Sequence, residues 1–303
     1  MDRRLITTAL LGFVVMLSGT AAAARAQGDE GQLTKEFSAT YPLAPDGRVR
    51  LKNINGRARV TGWERDEIRI EAVRRANTQQ RLDEVNIDVQ AMPDSVQIRT
   101  VYPTSNLHFE RGSRDNPASV DYVLTVPRQA RLESIELVNG PFEVEGLAGE
   151  IKAALVNGML TARNLAGDAR LTTINGRLEA EFDRLGAGTV ALSSVNGEVV
   201  IRLPALADAT VRANTVHGTI TNDLGLPVRR GRYVGQSLAG QLGAGAGRVK
   251  LDNVNGSITI QRAAGGAPAT NLLGDVTDDG HAEPPEPPTP PDPQPRPARR
   301  RRP

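Results

Sequence analysis

Hydrophobic and polar residues alternate on both sides of an Asn-Gly pair that recurs along the chain. Val190 and Leu192 precede the copy that begins at Asn196, and Val199 and Ile201 follow it. Successive side chains of a β-strand point to opposite faces, so a period of two predicts a strand on each side of the pair. The pattern therefore predicts an all-β protein built from short strands.

The spacing of the pairs predicts how those strands are arranged. Six Asn-Gly copies and one His-Gly copy occur, and the central ones are 18, 18, 21 and 21 residues apart. They are Asn55-Gly56, Asn139-Gly140, Asn157-Gly158, Asn175-Gly176, Asn196-Gly197, His217-Gly218 and Asn255-Gly256. A fixed period near 20 residues is typical of solenoids. We expect a single-stranded β-solenoid (β-helix) of stacked coils of about 18 to 21 residues, with these pairs at the corners and the Asn side chains hydrogen-bonded in a column.

The residue before each pair distinguishes between two predicted architectures, a solenoid and a series of hairpins. Asn-Gly is also the strongest short hairpin signal, and in a two-residue hairpin the preceding residue would face outward. That residue is Ile or Val in all seven copies: Ile54, Val138, Val156, Ile174, Val195, Val216 and Val254. We therefore expect a corner that resets the alternation and turns these seven side chains inward. Residues 104–117 and the glycine-rich residues 231–247 are expected to be surface loops.

The two ends of the chain differ in composition from its middle. Residues 1–26 have an early positive charge, an apolar run and a small-x-small site ending at Ala26, which predicts a cleaved signal peptide. Residues 27–264 form the predicted domain, and residues 265–303 a disordered Pro/Arg-rich tail. The tail arginines are Arg296, Arg299, Arg300, Arg301 and Arg302. We expect an exported protein, periplasmic, outer-surface or secreted, without a transmembrane span in its mature form.

The amino-acid composition argues against several kinds of functional site. The 303 residues contain no cysteine, which excludes disulfides and cysteine-based metal or catalytic sites. His108, His217 and His281 are far apart and suggest no metal site or triad. The net charge of +2 makes nucleic acid an unexpected partner. We expect no catalytic residues, cofactor or metal, and partners among cell-envelope polymers or proteins, with anionic lipid or polysaccharide as candidates for the tail.

One polar column precedes the corners and is a candidate binding face. It consists of Thr172, Thr173, Ser193, Ser194, Asn214 and Thr215. These side chains either bind a glycan or protein partner or hydrogen-bond their own backbone. A polysaccharide-active enzyme would need clustered acids, and the residues after each pair form no aligned charge column.

The order of these signals resembles the bacterial putative-adhesin family of β-strand-repeat domains of unknown function. The resemblance rests on Val-Thr-Gly-Trp at 60–63, Val-Pro at 126–127 and the recurring Val-Asn-Gly or Ile-Asn-Gly, and it covers residues 49–260. It implies an exported β-helical protein of the cell envelope with no established chemistry. The interpretation is a non-enzymatic, adhesin-like binding or scaffold protein, with a polysaccharide-active enzyme and an envelope-stress sensor as alternatives.

Overall fold

A computed structural model describes residues 32–102, 118–232 and 234–263, which form two β-sheets and one short helix, α1 (Gln79–Glu84). With strands numbered along the chain, the ten-stranded sheet A has the spatial order β1 (Leu33–Pro42), β4 (Glu67–Ala76), β7 (Ser119–Pro127), β3 (Ala58–Trp63), β9 (Phe142–Glu145), β11 (Leu160–Leu165), β13 (Leu178–Phe182), β15 (Val199–Leu203), β21 (Ile258–Arg262) and β17 (Ile220–Asn222). The eleven-stranded sheet B has the order β18 (Val228–Arg230), β19 (Gln236–Leu242), β16 (Ala209–His217), β20 (Gly247–Asn255), β14 (Thr189–Asn196), β12 (Ala169–Asn175), β10 (Ile151–Asn157), β8 (Arg131–Asn139), β2 (Arg48–Asn55), β6 (Ser95–Val101) and β5 (Asn86–Met92).

The predicted single-stranded β-solenoid is wrong, because the protein forms two large mixed sheets. Strands β1, β4, β5, β18 and β19 pair antiparallel with their neighbours. Sequence order is broken as well, since β20 lies between β14 and β16, and β2 lies beside β8. A solenoid stacks each coil on the preceding one with parallel pairing throughout. The Asn-Gly period could not show these insertions, because strand pairing between distant segments leaves no mark in a local repeat.

Each Asn-Gly pair lies where the chain passes from sheet B to sheet A. Strand β12 ends at Asn175 in sheet B, and β13 begins at Leu178 in sheet A. The inward-facing side chains of both sheets form one core of Val, Leu, Ile and Ala, in which Leu171 and Ile201 are fully buried. Three rings, those of Tyr122, Phe142 and Phe182, are fully buried in it too. The corners thus connect the two sheets, whose inner faces share one hydrophobic core.

The alternation next to each corner is the reverse of the one expected. The residues one before the pair lie on the outer face, and Ile54, Val138, Ile174, Val195, Val216 and Val254 are 37 to 44% exposed, with Val156 half-buried. The residues two before the pair, including Leu155 and Thr173, are buried instead. The expected inward turn of the seven aliphatic residues is therefore wrong. The strands keep their period of two up to the Asn, and the corner begins only at the Asn itself.

Two expected loops have different outcomes. Residues 231–247 are not a single loop, because they contain β19, which pairs antiparallel with β16. Residues 104–117 lie outside the described part of the chain, as do the predicted signal peptide and the Pro/Arg-rich tail. In the described ranges, no helix is long and apolar enough to cross a membrane.

Candidate binding surfaces

The Asn residues at the corners form a hydrogen-bonded ladder across sheet B. Asn139 donates from Nδ2 to Oδ1 of Asn55 at 2.9 Å, and Asn157 donates to Asn139 at the same distance. The series continues through Asn175, Asn196 and Asn255 at 2.8 to 2.9 Å. His217 lies in register with Asn255 and occupies the next position. The ladder holds one row of exposed amides in fixed orientation along the outer edge of the corners.

The glycines of the corners allow the backbones of successive strands to touch. A Cβ on Gly176 would lie 2.0 Å from the carbonyl oxygen of Gly158, and one on Gly197 would lie 2.0 Å from that of Gly176. The φ of Gly176 is +145°, a conformation that side chains rarely adopt. A Cβ added to any of the other corner glycines would likewise lie 2.0 to 2.2 Å from a carbonyl oxygen, and these are Gly56, Gly140, Gly158, Gly218 and Gly256. These corners are therefore structural and leave no space for a ligand between them.

The aliphatic residues next to the ladder form an exposed stripe, the principal apolar feature of the outer face of sheet B. In spatial order the stripe consists of Ile54, Val138, Val156, Ile174, Val195, Val254 and Val216. It crosses seven neighbouring strands, and at about 4.8 Å per strand its length is about 29 Å. The apolar surface is thus a narrow row, bordered on one side by the Asn ladder.

The predicted polar column is split between the two sides of sheet B. The outward set is Thr172, Ser193 and Asn214, and the buried set is Thr173, Ser194 and Thr215. Only the outward set is placed to meet a partner, and Asp252 of β20 lies between Ser193 and Asn214. In the buried set, the hydroxyl of Thr215 donates to the Gly256 carbonyl at 3.0 Å. The role of the column in binding stays a prediction.

Charges on the same face are paired along and across the strands. Lys52 contacts Glu136 at 2.9 Å, and Arg50 contacts Glu133 at 2.9 Å. The hydrogen bond from Lys52 lowers the pKa of Glu136. Lys250 and Asp252 form a further pair at 2.8 Å. These pairs neutralise part of the charge on the face, which also carries the exposed cations Arg170, Arg212 and Arg248.

A second candidate site is a cleft of about 310 Å³ at the opposite end of sheet A. Its walls come from the segments that follow β3, β7, β9 and β13, and they include Trp63, Arg65, Arg128 and Arg184. The Arg65 guanidinium lies 5.0 Å from the centroid of the Trp63 ring, and the indole nitrogen donates to the Glu67 carbonyl at 2.8 Å. Both contacts hold the indole in one orientation.

Backbone hydrogen bonds join the segments around this cleft. The Arg128 amide donates to the Trp63 carbonyl at 3.0 Å, and the Ala148 amide donates to the Arg128 carbonyl at 2.7 Å. The Leu43 amide donates to the carbonyl of Asp66 at 3.1 Å. Sequence reasoning missed this site because its residues come from separate segments. The one available signal was Trp63, the only tryptophan in the chain.

Comparisons with known proteins yield only distant structural neighbours. No family model and no curated protein matches the chain. A putative cell adhesion protein from Clostridium sporogenes is 13% identical, with a TM-score of 0.45 over 76% of this chain and 100% of that one. Putative adhesins from Bacteroides fragilis and Parabacteroides merdae are 11% and 10% identical, with TM-scores of 0.33 and 0.30 over 76% of this chain and 97% and 96% of theirs. The word adhesin in two of these descriptions is the term used for the family that the sequence resembles.

Proposed function

We propose that this chain is a non-enzymatic, adhesin-like binding protein of the cell envelope that contacts an extended polymer through the aliphatic stripe of sheet B. The observation that carries the proposal is a row of seven β-branched side chains on neighbouring strands, six of them 37 to 44% exposed and Val156 half-buried. Single exposed aliphatic residues are ordinary, but a contiguous row marks an interaction surface. The same residues would be buried if they served only the core.

The shape of the stripe favours an extended partner over a small molecule. A row about 29 Å long and one side chain wide matches the length of an extended chain better than that of a compact ligand. The adjoining Asn side chains are exposed, and each amide has a second N–H that the ladder does not use. A polysaccharide or an extended protein segment presents apolar groups and hydrogen-bond acceptors at regular intervals, which suits an aliphatic row beside an amide row.

Export and tail attachment complete the proposal. A signal peptide would direct the protein across the inner membrane and be cleaved after Ala26, and residues 265–303 would add an electrostatic contact through Arg296 and the arginines at 299–302. Such a contact with anionic lipid or polysaccharide weakens as salt rises, whereas the contact of the aliphatic stripe persists. The two modes of binding are therefore separable by salt.

The test is capture of the purified chain by cell-envelope fractions at low and high salt. Replacing Ile174 and Val195 together by Lys interrupts the middle of the stripe. We expect salt-resistant capture to fall about tenfold, because two apolar contacts are lost and two charges must be desolvated. Deleting residues 266–303 should remove only the salt-sensitive part of the capture.

A matched control places the same two charges elsewhere. Val123 on sheet A and Val228 on the edge strand β18 are 40% and 37% exposed, similar to the stripe residues. Replacing both by Lys should leave capture unchanged. Equal losses in the two double variants would show a general effect of charge, and full capture by the Ile174→Lys/Val195→Lys variant would exclude the stripe as the binding surface.

A further inference from the structure

The cleft beside Trp63 combines an apolar ring with guanidinium groups that are not committed to buried partners. We infer that it binds an acidic sugar unit, with Arg128 and Arg184 holding the carboxylate and the indole contacting the sugar ring. This is a second site, separate from the stripe on sheet B. The charged groups of the cleft, the fixed position of its walls and its size favour such a ligand.

The charges in the cleft favour a ligand with one negative charge. Three guanidinium groups, those of Arg65, Arg128 and Arg184, face two carboxylates, those of Glu64 and Asp66. Glu67 also pairs with Arg65, and Glu64 pairs with Arg128. Arg184 is therefore the guanidinium of the cleft that has no ion-pair partner among the described residues, and a ligand carboxylate can supply one. A guanidinium also presents paired N–H groups that match the two oxygens of a carboxylate.

The arginines differ in how readily they can meet a ligand. Arg65 is stacked on Trp63 and lies 3.4 Å from a carboxylate oxygen of Glu67. Arg128 lies 3.3 Å from Glu64, whose side chain is 80% exposed, so a ligand can displace that partner. Arg184 forms no ion pair with any described residue. Arg128 and Arg184 are therefore the expected carboxylate ligands, and Arg65 holds the ring.

The backbone of the cleft is held in place before any ligand arrives. The amides of Arg128 and Ala148 are hydrogen-bonded to neighbouring segments, as described above. Gly62 lies so close to Gly146 that a Cβ added to Gly62 would be 2.3 Å from the Gly146 carbonyl oxygen. Pre-positioned walls reduce the entropy lost on binding. At about 310 Å³, the cleft is at the lower end of the range for small-molecule sites, which suits a sugar unit and not a larger compact ligand.

The single tryptophan supplies the readout. Titration of the purified chain with a galacturonic acid trisaccharide should give a saturable change in Trp63 fluorescence, and isothermal titration calorimetry should give the same Kd. A neutral trisaccharide of equal length and inorganic phosphate should both bind at least about tenfold more weakly. Replacing Arg128 and Arg184 together by Gln should weaken binding of the acidic trisaccharide about tenfold or more.

Matched variants keep the outcome interpretable. Arg229→Gln with Arg230→Gln removes the same charge from exposed residues of β18 and should leave the Kd unchanged. The Ile174→Lys/Val195→Lys variant should also bind the trisaccharide normally, so a failure of the stripe would not imply a failure of the cleft. Absence of saturable binding, equal binding of the neutral sugar or of phosphate, or an unchanged Kd in the Arg128→Gln/Arg184→Gln variant would overturn the inference.

Discussion

The two ends of the strands in sheet A differ in how closely and how regularly the chain is packed. At the corner end, where the chain arrives from sheet B, Gly176 lies against Gly158 and the Asn side chains form one ladder. At the cleft end, where the strands leave the sheet, the connecting segments differ in length and carry exposed charges such as Arg128 and Arg184. The corner end repeats because the close backbone packing permits only Gly. The cleft end varies because its segments extend into solvent.

This difference separates the tightly packed corners from the open cleft that can take a small ligand. The motif that dominates the sequence marks the end at which little can change, and the corner glycines leave no space for a ligand. The cleft beside Trp63 lies at the end that has no repeated motif. In this molecule, regularity in the sequence indicates architecture, and the candidate small-ligand site lies among the irregular segments.

The largest expected effect is at a corner glycine. Gly176→Ala would place a Cβ 2.0 Å from the Gly158 carbonyl oxygen at a φ of +145°. Strain and overlap together should lower the free energy of unfolding by about 3 kcal/mol or more. Urea denaturation followed by circular dichroism measures the change.

Gly186 at the cleft end is the matched control for that substitution. The nearest atom to a Cβ on Gly186 is the Gly188 amide nitrogen at 4.0 Å. Gly186→Ala should therefore change the free energy of unfolding by no more than about 0.5 kcal/mol. Similar losses at Gly176 and Gly186 would contradict the proposed difference between the two ends.

A buried tyrosine beside the corners should make stability depend on alkaline pH. Burial raises the pKa of Tyr122 to about 12, while a hydrogen bond with the Thr100 hydroxyl at 2.7 Å opposes part of the rise. The unfolded chain titrates near pH 10. The neutral phenol is favoured in the fold, so this stability is complete below about pH 10 and is lost as the pH rises towards about 12. The loss from Tyr122 should be about 2 to 3 kcal/mol.

The alkaline loss is assigned with a conservative variant. Tyr122→Phe should remove the part of the pH dependence of stability between pH 10 and 12 that comes from ionisation of Tyr122. A second share remains, because burial also raises the pKa of Tyr102 to about 12. Urea titrations at a series of pH values measure both. An unchanged pH profile in Tyr122→Phe would show that Tyr122 is not the group that titrates.

The Asn ladder should contribute less than either feature. Asn175 donates one hydrogen bond to Asn157 and accepts one from Asn196, each at 2.9 Å, and it is exposed. Asn175→Ala should lower the free energy of unfolding by about 1 kcal/mol, because water replaces part of the lost bonding. Asn86 on the edge strand β5 is an exposed control that has no side-chain hydrogen bond with a described residue. Equal effects at both positions would show that the ladder adds no stability.

Local patterns in the sequence predicted local structure well. The period of two around Asn196 predicted strands, and the repeated Asn-Gly predicted a row of amides that the hydrogen bond from Asn175 to Asn157 illustrates. The direction of Ile174 was wrong because Asn-Gly alone does not show where the strand ends and the corner begins. A shift of one residue moves every side chain to the other face.

Features that depend on distant segments could not be predicted in the same way. The position of β20 between β14 and β16 follows from pairing between strands far apart in the chain, so the expected solenoid was wrong. The cleft draws Trp63, Arg128 and Arg184 from three separate segments, and although Trp63 ends the Val-Thr-Gly-Trp motif, no recognisable spacing connects it with Arg128 or Arg184. Its residues come together only through the register of sheet A.

The smallest expected effect on the free energy of unfolding is at Arg184, at the cleft end of sheet A. Arg184 is exposed and forms no ion pair with a described residue, so Arg184→Gln removes a charge without breaking an ion pair. Its effect on the free energy of unfolding should be within about 0.5 kcal/mol, as for other exposed positions. A loss near that of Gly176→Ala in the same urea titration would mean that the cleft end is also structural. An unchanged stability together with weakened trisaccharide binding would show that Arg184 acts in ligand binding and not in stabilising the fold. This is the result expected if the cleft end binds the ligand and the corner glycines stabilise the fold.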